Sequence, residues 1–325
     1  MKNYVSTGDF LDLLLKLYEK GPGNLLRKLD PRSAKRTHSA FNSGEVSSNW
    51  WIIPEVKERW NKLITGDPSG TYEELVIEYF ADRRDLRLLS IGCGVASHEI
   101  RLAESGLFQE VKGVDLADNL IKQANEKASA MGVSDICRFE CRDILKEPLE
   151  GTYDAVLFHS SLHHFDHIEK FIEQSVLPLL SVDGVLIINE YVGPTRLQWT
   201  KSQLDAANAS LRSIPKEWRR TRLPGYTKNK VHRPGLWRMI LADPSEAIDS
   251  HSIRKALSAN FSTEMEREYG GNLLHLVFKD IAHNFLEIEE DDERSRVLQE
   301  QFDLEDHFIK GEDSDFLFGI YRRRS

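Results

Sequence analysis

Between Leu86 and Tyr191, short apolar runs alternate with stretches of helical periodicity. "LRLLSI" leads into a helical pattern from about Ala96, and "EVKGVD" into one that runs from about Ala117 to near Gly132. "ICRFECRD" and "YDAVLFHS" follow, and after a helical stretch through "HIEKFIEQSVLPLL" the run "GVLIINEY" completes the series. Apolar runs of strand length separated by 3.6-residue periodicity predict parallel strands joined by right-handed helical crossovers, with helices on both faces of the sheet.

The flanks read differently. "FLDLLLKLYEKGPG" predicts an amphipathic helix whose leucine face is interrupted by Asp12, Lys16 and Glu19 and which stops at Gly21-Pro22-Gly23. That face suits the core or a second subunit, so a homodimer is one arrangement it admits, and its mixed-sign polar face argues against a membrane surface. "RKLDPRSAKR" reads as a solvated linker, "PEVKERWNKLI" as a helix opened by Pro54 and ended at Gly66, and "YEELVIEYF" as a helix entering the first strand. Beyond Tyr191, helical pieces broken by Pro and Gly continue for too long to be a simple crossover and predict an inserted cap. "STEMEREY" then reads as a strand, "LLHLVFKDIAHNF" and "ERSRVLQEQFDLEDHF" as helices, and "DFLFGIYRRR" as a last strand. The expected organisation is an N-terminal helical segment over 1–80, a core over 81–193, a cap over 194–260 and a completion of the core sheet over 261–325.

Composition narrows the function classes. With 325 residues, 40% hydrophobic and 29% charged, the chain has an ordinary globular makeup. A formal charge of -9 argues against a surface built throughout to neutralise nucleic-acid phosphates, so a nucleic-acid partner is disfavoured. No apolar run is long enough for a transmembrane helix, so no membrane span is expected. Cys93, Cys137 and Cys141 form an odd set without a CxxC pair, which suits a reduced, cytoplasmic setting. Cys137 and Cys141 on one strand face would lie about 13 Å apart, too far for a disulfide.

The chemistry begins at "LLSIGCGVASHE". Gly92-x-Gly94 after an apolar run is a nucleotide-type turn, a weak signal by itself. Asp115 closes the next strand, roughly 20 residues on, where a carboxylate can accept both hydroxyls of a ribose. A dinucleotide site would want a third glycine at Ser97 for close pyrophosphate approach. Glu99, on the first turn of the following helix, is placed to meet an ammonium group.

Taken together, these motifs closely resemble the class I S-adenosylmethionine-dependent methyltransferases, over about Leu86 to Tyr191 and the two terminal strands. The resemblance implies a Rossmann-like, doubly wound α/β sheet of seven mostly parallel strands with an antiparallel last strand. It implies S-adenosylmethionine as cofactor, held at Gly92, Cys93, Gly94, Glu99, Asp115 and Leu116. It adds Asp143 and Ile144 of the third-strand loop, with Asp143 toward the adenine amine, and His159 and Ser160 lining the methionine end. Two positions depart from the family pattern: Ser90 stands where an acid is usual before the first glycine, a role that Glu99 would take over, and Ala96 where the G-x-G-x-G form has its third glycine, small enough to keep the helix close.

"FHSSLHHFDH" groups His159, His163, His164 and His167. His163 and His167 on one helix face would have metal-type spacing, but no Cys or Glu completes a set, and no metal is expected. Base chemistry is the better reading. Holding a nucleophile in line with an electrophilic methyl is most of what such an enzyme must do, and a hydroxyl acceptor also has to lose a proton. His163 and His164 are the candidate catalytic bases.

Between Lys216 and Arg238 there are eight Lys or Arg and one acid, Glu217. Either this is a solvated face, or the cap receives a small, anionic acceptor. Tyr191, Arg196, Trp199, Trp237 and Tyr269 are the acceptor-side candidates, and Trp50-Trp51 could fold over the cofactor, with core packing the better reading for one of the pair. The expected activity is methyl transfer to an oxygen or nitrogen of a small molecule. A nicotinamide-dependent oxidoreductase, a non-catalytic S-adenosylmethionine-binding protein and a nucleic-acid methyltransferase stand as alternatives.

Overall fold

A computed structural model describes residues 4–10, 12–15, 18, 49–286 and 292–324. The expected stop at Gly21-Pro22-Gly23 and the basic stretch at 27–36 lie outside the described residues. Seven strands form one sheet: β1 Leu86–Ile91, β2 Phe108–Asp115, β3 Cys137–Cys141, β4 Tyr153–His159, β5 Leu180–Tyr191, β6 Phe261–Gly270 and β7 Phe316–Arg323, in the order β3-β2-β1-β4-β5-β7-β6. β1 pairs in parallel with β2 and β4, β2 with β3, and β4 with β5. Six strands are parallel and the last is antiparallel, as expected. Strand order reverses between β1 and β4, and at such a point the carboxyl ends of the strands open a crevice.

Beyond the helical positions 7–10 and 12–15, the helices are α1 Pro54–Thr65, α2 Tyr72–Tyr79, α3 Ser97–Ala103, α4 Asp118–Ala130, α5 Ile168–Phe171, α6 Lys201–Ser213, α7 Leu236–Ala242, α8 Ile253–Asn260, α9 Leu274–Phe278 and α10 Asp292–Ile309. Local chemistry accounts for their ends. Proline starts α1, and Gly66, left-handed at φ 89°, stops it. At the start of α2 the Thr71 amide donates to Glu74 Oε2 at 3.1 Å, so the acid of a capping-box pair closes the first turn.

Two expected helices are broken. "HIEKFIEQSVLPLL" is α5 followed by a π turn at Ile172–Val176 and a 3-10 turn at Leu177–Leu179, where Pro178 has no amide to continue the ladder. "LLHLVFKDIAHNF" is α9 and a 3-10 turn at Ala282–Phe285, separated by Asp280 at φ 69°.

The chain divides into two compact units. One comprises 70–192, 247–268 and the residues from 317 onward, and it holds the sheet. Its core joins Leu89, Val156, Phe158, Leu186 and Ile188 from the strands to Ile253 and Leu257 of α8. The other comprises the described residues up to 69 with 193–246 and 269–316. Its core joins Trp50, Ile53 and Val56 to Leu211 of α6, Leu274 to Phe278 of α9, and Val297 and Leu298 of α10. The four consecutive segments drawn on the sequence therefore share two cores. The N-terminal helices, the cap and the stretch between β6 and β7 each present an apolar face too small to fold alone and bury it in common.

Trp50 is fully buried in this second unit, 4.4 Å from the Trp60 ring, so it is a core residue and not a cover for the cofactor; Trp51 is exposed. Cys93, Cys137 and Cys141 are free thiols. Among the described residues no helix is long and apolar enough to cross a membrane.

Candidate functional site

The glycine turn occupies the carboxyl end of β1. Gly92 has φ 77°, and a Cβ there would lie 2.5 Å from Ser161 Cβ, so the loop after β4 presses directly on this position. Ser161 ties the two strand ends together by donating from Oγ to the Ile91 carbonyl at 2.6 Å. Gly94 also has a positive φ, 55°, but a Cβ there would meet nothing within 4 Å. The first glycine therefore serves packing, and the second borders open space.

Ala96 is left-handed as well, at φ 54° and ψ 33°, and caps α3 from a fully buried position. The conformation for which a third glycine is normally chosen is thus kept by an alanine, at a cost of about 1–2 kcal/mol in backbone strain. The Cys93 thiol lies over Gly113 and is pushed well above its usual pKa by burial and then by the Glu99 and Asp115 charges.

The second departure has a structural answer. Ser90 Oγ donates to Glu99 Oε1 at 2.6 Å, so a carboxylate reaches from α3 to the strand position where the family keeps its acid. Glu99 is 1% exposed, and its Oε2 has no partner among the described residues. Burial raises its pKa against the lowering effect of the Ser90 hydrogen bond. A buried carboxylate with an unmet oxygen lacks a cationic or hydrogen-bonding partner.

Asp115 accepts the Gly94 amide at 2.9 Å on Oδ2 and the Ala117 amide at 2.8 Å on Oδ1. Each oxygen keeps a lone pair for a hydroxyl donor. Leu116 is half-buried beside it, and its carbonyl accepts from Cys141 Sγ at 3.5 Å. Asp143 caps its own turn through the Leu145 amide at 3.2 Å and pairs with Lys146, while Ile144 packs on the edge of the sheet core.

His159 closes a ring stack at the end of β4, 3.8 Å from His98 and 5.4 Å from Tyr72. His98 in turn bonds Glu73 at 2.7 Å. Burial pushes the Glu73 carboxyl up, but the His98 hydrogen bond and charge outweigh it and leave the group below its usual range. Burial, and then the charge of His98, holds His159 well below its usual pKa, so it is a neutral imidazole, and its Nδ1 is without a partner among the described residues. Ser160 adopts φ 50° and donates its amide to the Asn189 carbonyl at 2.8 Å.

These residues fit S-adenosylmethionine. The buried Glu99 carboxylate suits the ammonium of the methionine end, Asp115 the ribose hydroxyls, and the space beside Gly94 admits a ligand that carries no phosphate. The sequence reading did not find Glu73 and His98. Both sit on ordinary helix turns, and only the fold stacks them against β4.

The histidine cluster does not form one helix. His163 and His164 lie in the 3-10 turn Leu162–His164, Phe165 is extended, and His167 is a left-handed residue whose side chain is exposed. The i,i+4 face that would bring His163 and His167 together does not exist. His163 is 8% exposed, its ring is 4.2 Å from that of half-buried His164, and its Nδ1 bonds Glu190 Oε1.

Glu190 is fully buried and accepts the Ser161 amide at 2.8 Å and the Leu162 amide at 2.6 Å on Oε2, and the Tyr191 amide at 3.0 Å on Oε1. Oxygens that accept this many amides leave Nδ1 of His163 to be the donor, so the tautomer is set and Nε2 is the basic nitrogen. Glu190 was not singled out from the sequence. Its one signal is a lone acid closing the apolar run "GVLIINEY".

Tyr191 is buried with its ring 6.3 Å from His163. In the other unit, Arg196 has φ 56° and donates to the carbonyls of Pro244 at 2.6 Å and Glu246 at 3.1 Å, which is a structural task. Trp199 is buried, Trp237 is exposed near Tyr4, and Tyr269 packs between Trp60 and Phe316. These four candidates from the unit built around α6 are not brought into one cluster. Much of the basic stretch also has internal work. Lys228, which is buried, donates to the carbonyls of Leu276, Val277 and Lys279 at 2.6 to 3.0 Å, and Arg238 pairs with Asp9 and Asp12.

A family model described as a methyltransferase domain matches residues 82–260. The malonyl-acyl-carrier-protein O-methyltransferase of Bacillus cereus is 23% identical over 114 residues, covering 35% of this chain and 40% of that protein. The chain thus aligns with less than half the length of that relative. The tRNA 5-carboxymethoxyuridine methyltransferase of Escherichia coli is 27% identical over 187 residues, covering 54% of this chain and 69% of that protein. Among solved structures, the cyclase SpnF covers 86% of this chain and 97% of its own, with 15% identity and a TM-score of 0.47. The family match spans more than half the chain and contains the glycine turn, Glu99, Asp115 and the His163 loop, and the chain belongs to the class I S-adenosylmethionine-dependent methyltransferases.

Proposed function

We propose that this chain transfers a methyl group from S-adenosylmethionine to an oxygen or nitrogen of a small acceptor, with His163 as the base. The observation that carries the reading is the contact between buried Glu190 and His163 Nδ1, immediately beyond the strand ends. When bound, the cofactor supplies an electrophilic methyl on its sulfonium. The chain's own tasks are then to neutralise the ammonium end at Glu99, to hold the ribose at Asp115, and to take the acceptor's proton at His163 Nε2. The carboxylate of Glu190 favours the imidazolium that forms, as an orienting acid does for a catalytic histidine. His164 is the alternative base, and the acceptor class that the basic cap supports is anionic.

The test is a turnover assay with methyl-labelled S-adenosylmethionine against a panel of small hydroxyl and amine acceptors, anionic ones included. The expected result is methylation by the wild type and at least about a hundredfold slower turnover in His163→Ala. Equal turnover in His163→Ala and His164→Ala variants would remove both bases. Tight binding of NADH with none of S-adenosylmethionine in calorimetry would overturn the whole reading. A nucleic-acid acceptor is the second reading, supported by the Escherichia coli relative, and it requires binding that weakens steeply with salt.

A further inference from the structure

The helical positions 7–10 and 12–15 invert the ordinary arrangement of a surface helix, in which the apolar stripe faces the core and the charges face water. Here the acids turn inward. Asp9 accepts the Gly235 amide at 2.8 Å and pairs with Arg238 at 3.0 Å, while Asp12 pairs with Arg238 at 2.8 Å and with Lys279 at 3.1 Å. Leu15 is buried, but Phe10 is 65% exposed, and Leu13 and Leu14 are exposed with it.

The neighbouring helix α7 is built in the same way. Arg238 reaches the two acids, whereas Trp237, 59% exposed, shares a helix face with exposed Ile240 and Leu241 at spacings of three and four residues. The Trp237 amide donates to the Tyr4 carbonyl at 3.2 Å and the two rings lie 6.4 Å apart, so Tyr4, itself exposed, joins the two stripes into one face. All of these residues belong to the unit built around α6.

Size and charge together identify the partner. With exposed Val5 the face comprises eight apolar side chains that are on average about half exposed. At the roughly 150–250 Å² of a large side chain, they present on the order of 800 Å². The largest apolar patch of a typical monomer is about 300–600 Å², whereas each partner in a standard protein interface contributes about 800 Å². Tyr4, Phe10 and Trp237 are residues of the kind that anchor such interfaces. Two chains of net charge -9 repel one another, so they meet stably where acids are already compensated. Asp9 and Asp12 are neutralised within each chain, and a two-fold contact here lays apolar surface on apolar surface. Arg238 and Lys279 are engaged in the same pairs rather than offered to an anionic lipid surface.

We propose that this face is the two-fold interface of a homodimer, with Tyr4, Phe10 and Trp237 of each copy packed on the apolar face of the other. The dimer needs neither the glycine turn nor His163 and is independent of the transfer reading.

Sedimentation equilibrium of the full chain from roughly 0.5 to 100 μM tests it. Twice the chain mass is expected, with a dissociation constant of about 10 μM or tighter. Trp237→Glu and Phe10→Glu should each weaken the dimer about a hundredfold or more, because a two-fold contact carries each change twice, and both should keep the wild-type circular dichroism spectrum. Val182→Glu, at an 89% exposed position of the other unit, should leave the dimer intact. If Trp237→Glu does not fold, Phe10→Glu decides. The proposal is overturned by a monomer across the whole range, by a dimer that persists in both variants, or by equal loss of the dimer in Val182→Glu. A chain that stays monomeric and sediments with phosphatidylcholine–phosphatidylserine vesicles, but not as Trp237→Glu, overturns it in favour of a membrane surface.

Discussion

Glu190 of β5 holds Nδ1 of His163 while three backbone amides of the neighbouring loop and strand fill its remaining lone pairs. The carboxylate is anchored before any ligand arrives, and it fixes both the ring's orientation and its tautomer. Glu190→Gln keeps the volume and one amide-accepting oxygen but loses the charge that favours the imidazolium. Turnover should fall about a hundredfold, with affinity for S-adenosylhomocysteine changed less than about threefold. The pair of measurements is kcat by methyl transfer and Kd by calorimetry. A kcat unchanged from wild type would detach Glu190 from the chemistry.

The two glycines of the turn should fail in different ways. Gly92→Ala forces a left-handed alanine into Ser161 and should lower the unfolding midpoint by several degrees. Gly94→Ala meets no protein atom and should cost only about 1 kcal/mol in backbone strain, while its methyl enters the space beside the turn and weakens cofactor binding about tenfold or more. Thermal unfolding together with S-adenosylhomocysteine titration separates the two. Full binding by Gly94→Ala would show that the cofactor does not pass there.

Glu99 should couple cofactor binding to pH. Its pKa is raised above the usual 4.5, so the unliganded fold is favoured while the group is protonated and loses that advantage as pH rises through the raised value. Glu99→Gln, still bonded by Ser90, should be more stable than wild type at neutral pH and less so near pH 4. It should bind S-adenosylmethionine at least about tenfold more weakly at neutral pH, because an ammonium then faces a neutral amide. Urea unfolding at both pH values reads the first effect and calorimetry the second. A wild-type and variant difference that does not vary with pH would contradict the assignment.

Lys228 is a stability element inside the basic stretch. Its ammonium closes three carbonyls around the end of α9, and Lys228→Met should cost about 2–4 kcal/mol by leaving them buried and unmet. Burial pulls its pKa down to about 8, with Asp280 partly restoring it. A depressed lysine contributes stability that is complete above the unfolded value near 10.5 and is lost as pH falls through about 8. The deficit of Lys228→Met should therefore widen from pH 8 toward pH 10, as chemical denaturation at the two pH values would record.

The parallel sheet, its glycine turn and the second-strand acid were legible in the sequence because each is local. An apolar run has strand length, a glycine has positive φ, and an acid closes a strand within the same few residues. Even the odd residues carried information, since Ser97 at the dinucleotide position and Glu99 one turn into the helix already pointed away from a phosphate ligand. What the sequence concealed was pairing across distance. That Glu99 stands in for the acid missing at Ser90 is an expectation of the sequence, but the hydrogen bond that joins the two forms only when α3 folds back on β1. Glu190 finds His163 only because β5 lies beside β4 in the sheet. Ala96 reads as a harmless substitution until the fold requires a left-handed residue there. The N-terminal helices, the cap and the segment between β6 and β7 look like separate pieces because periodicity records that a face must be buried and says nothing about which partner buries it. That partner, and with it the orientation of every buried charge, was decided by tertiary packing, because desolvated carboxylates, imidazoles and ammonium groups take up only the partners that the assembled cores leave within hydrogen-bonding reach.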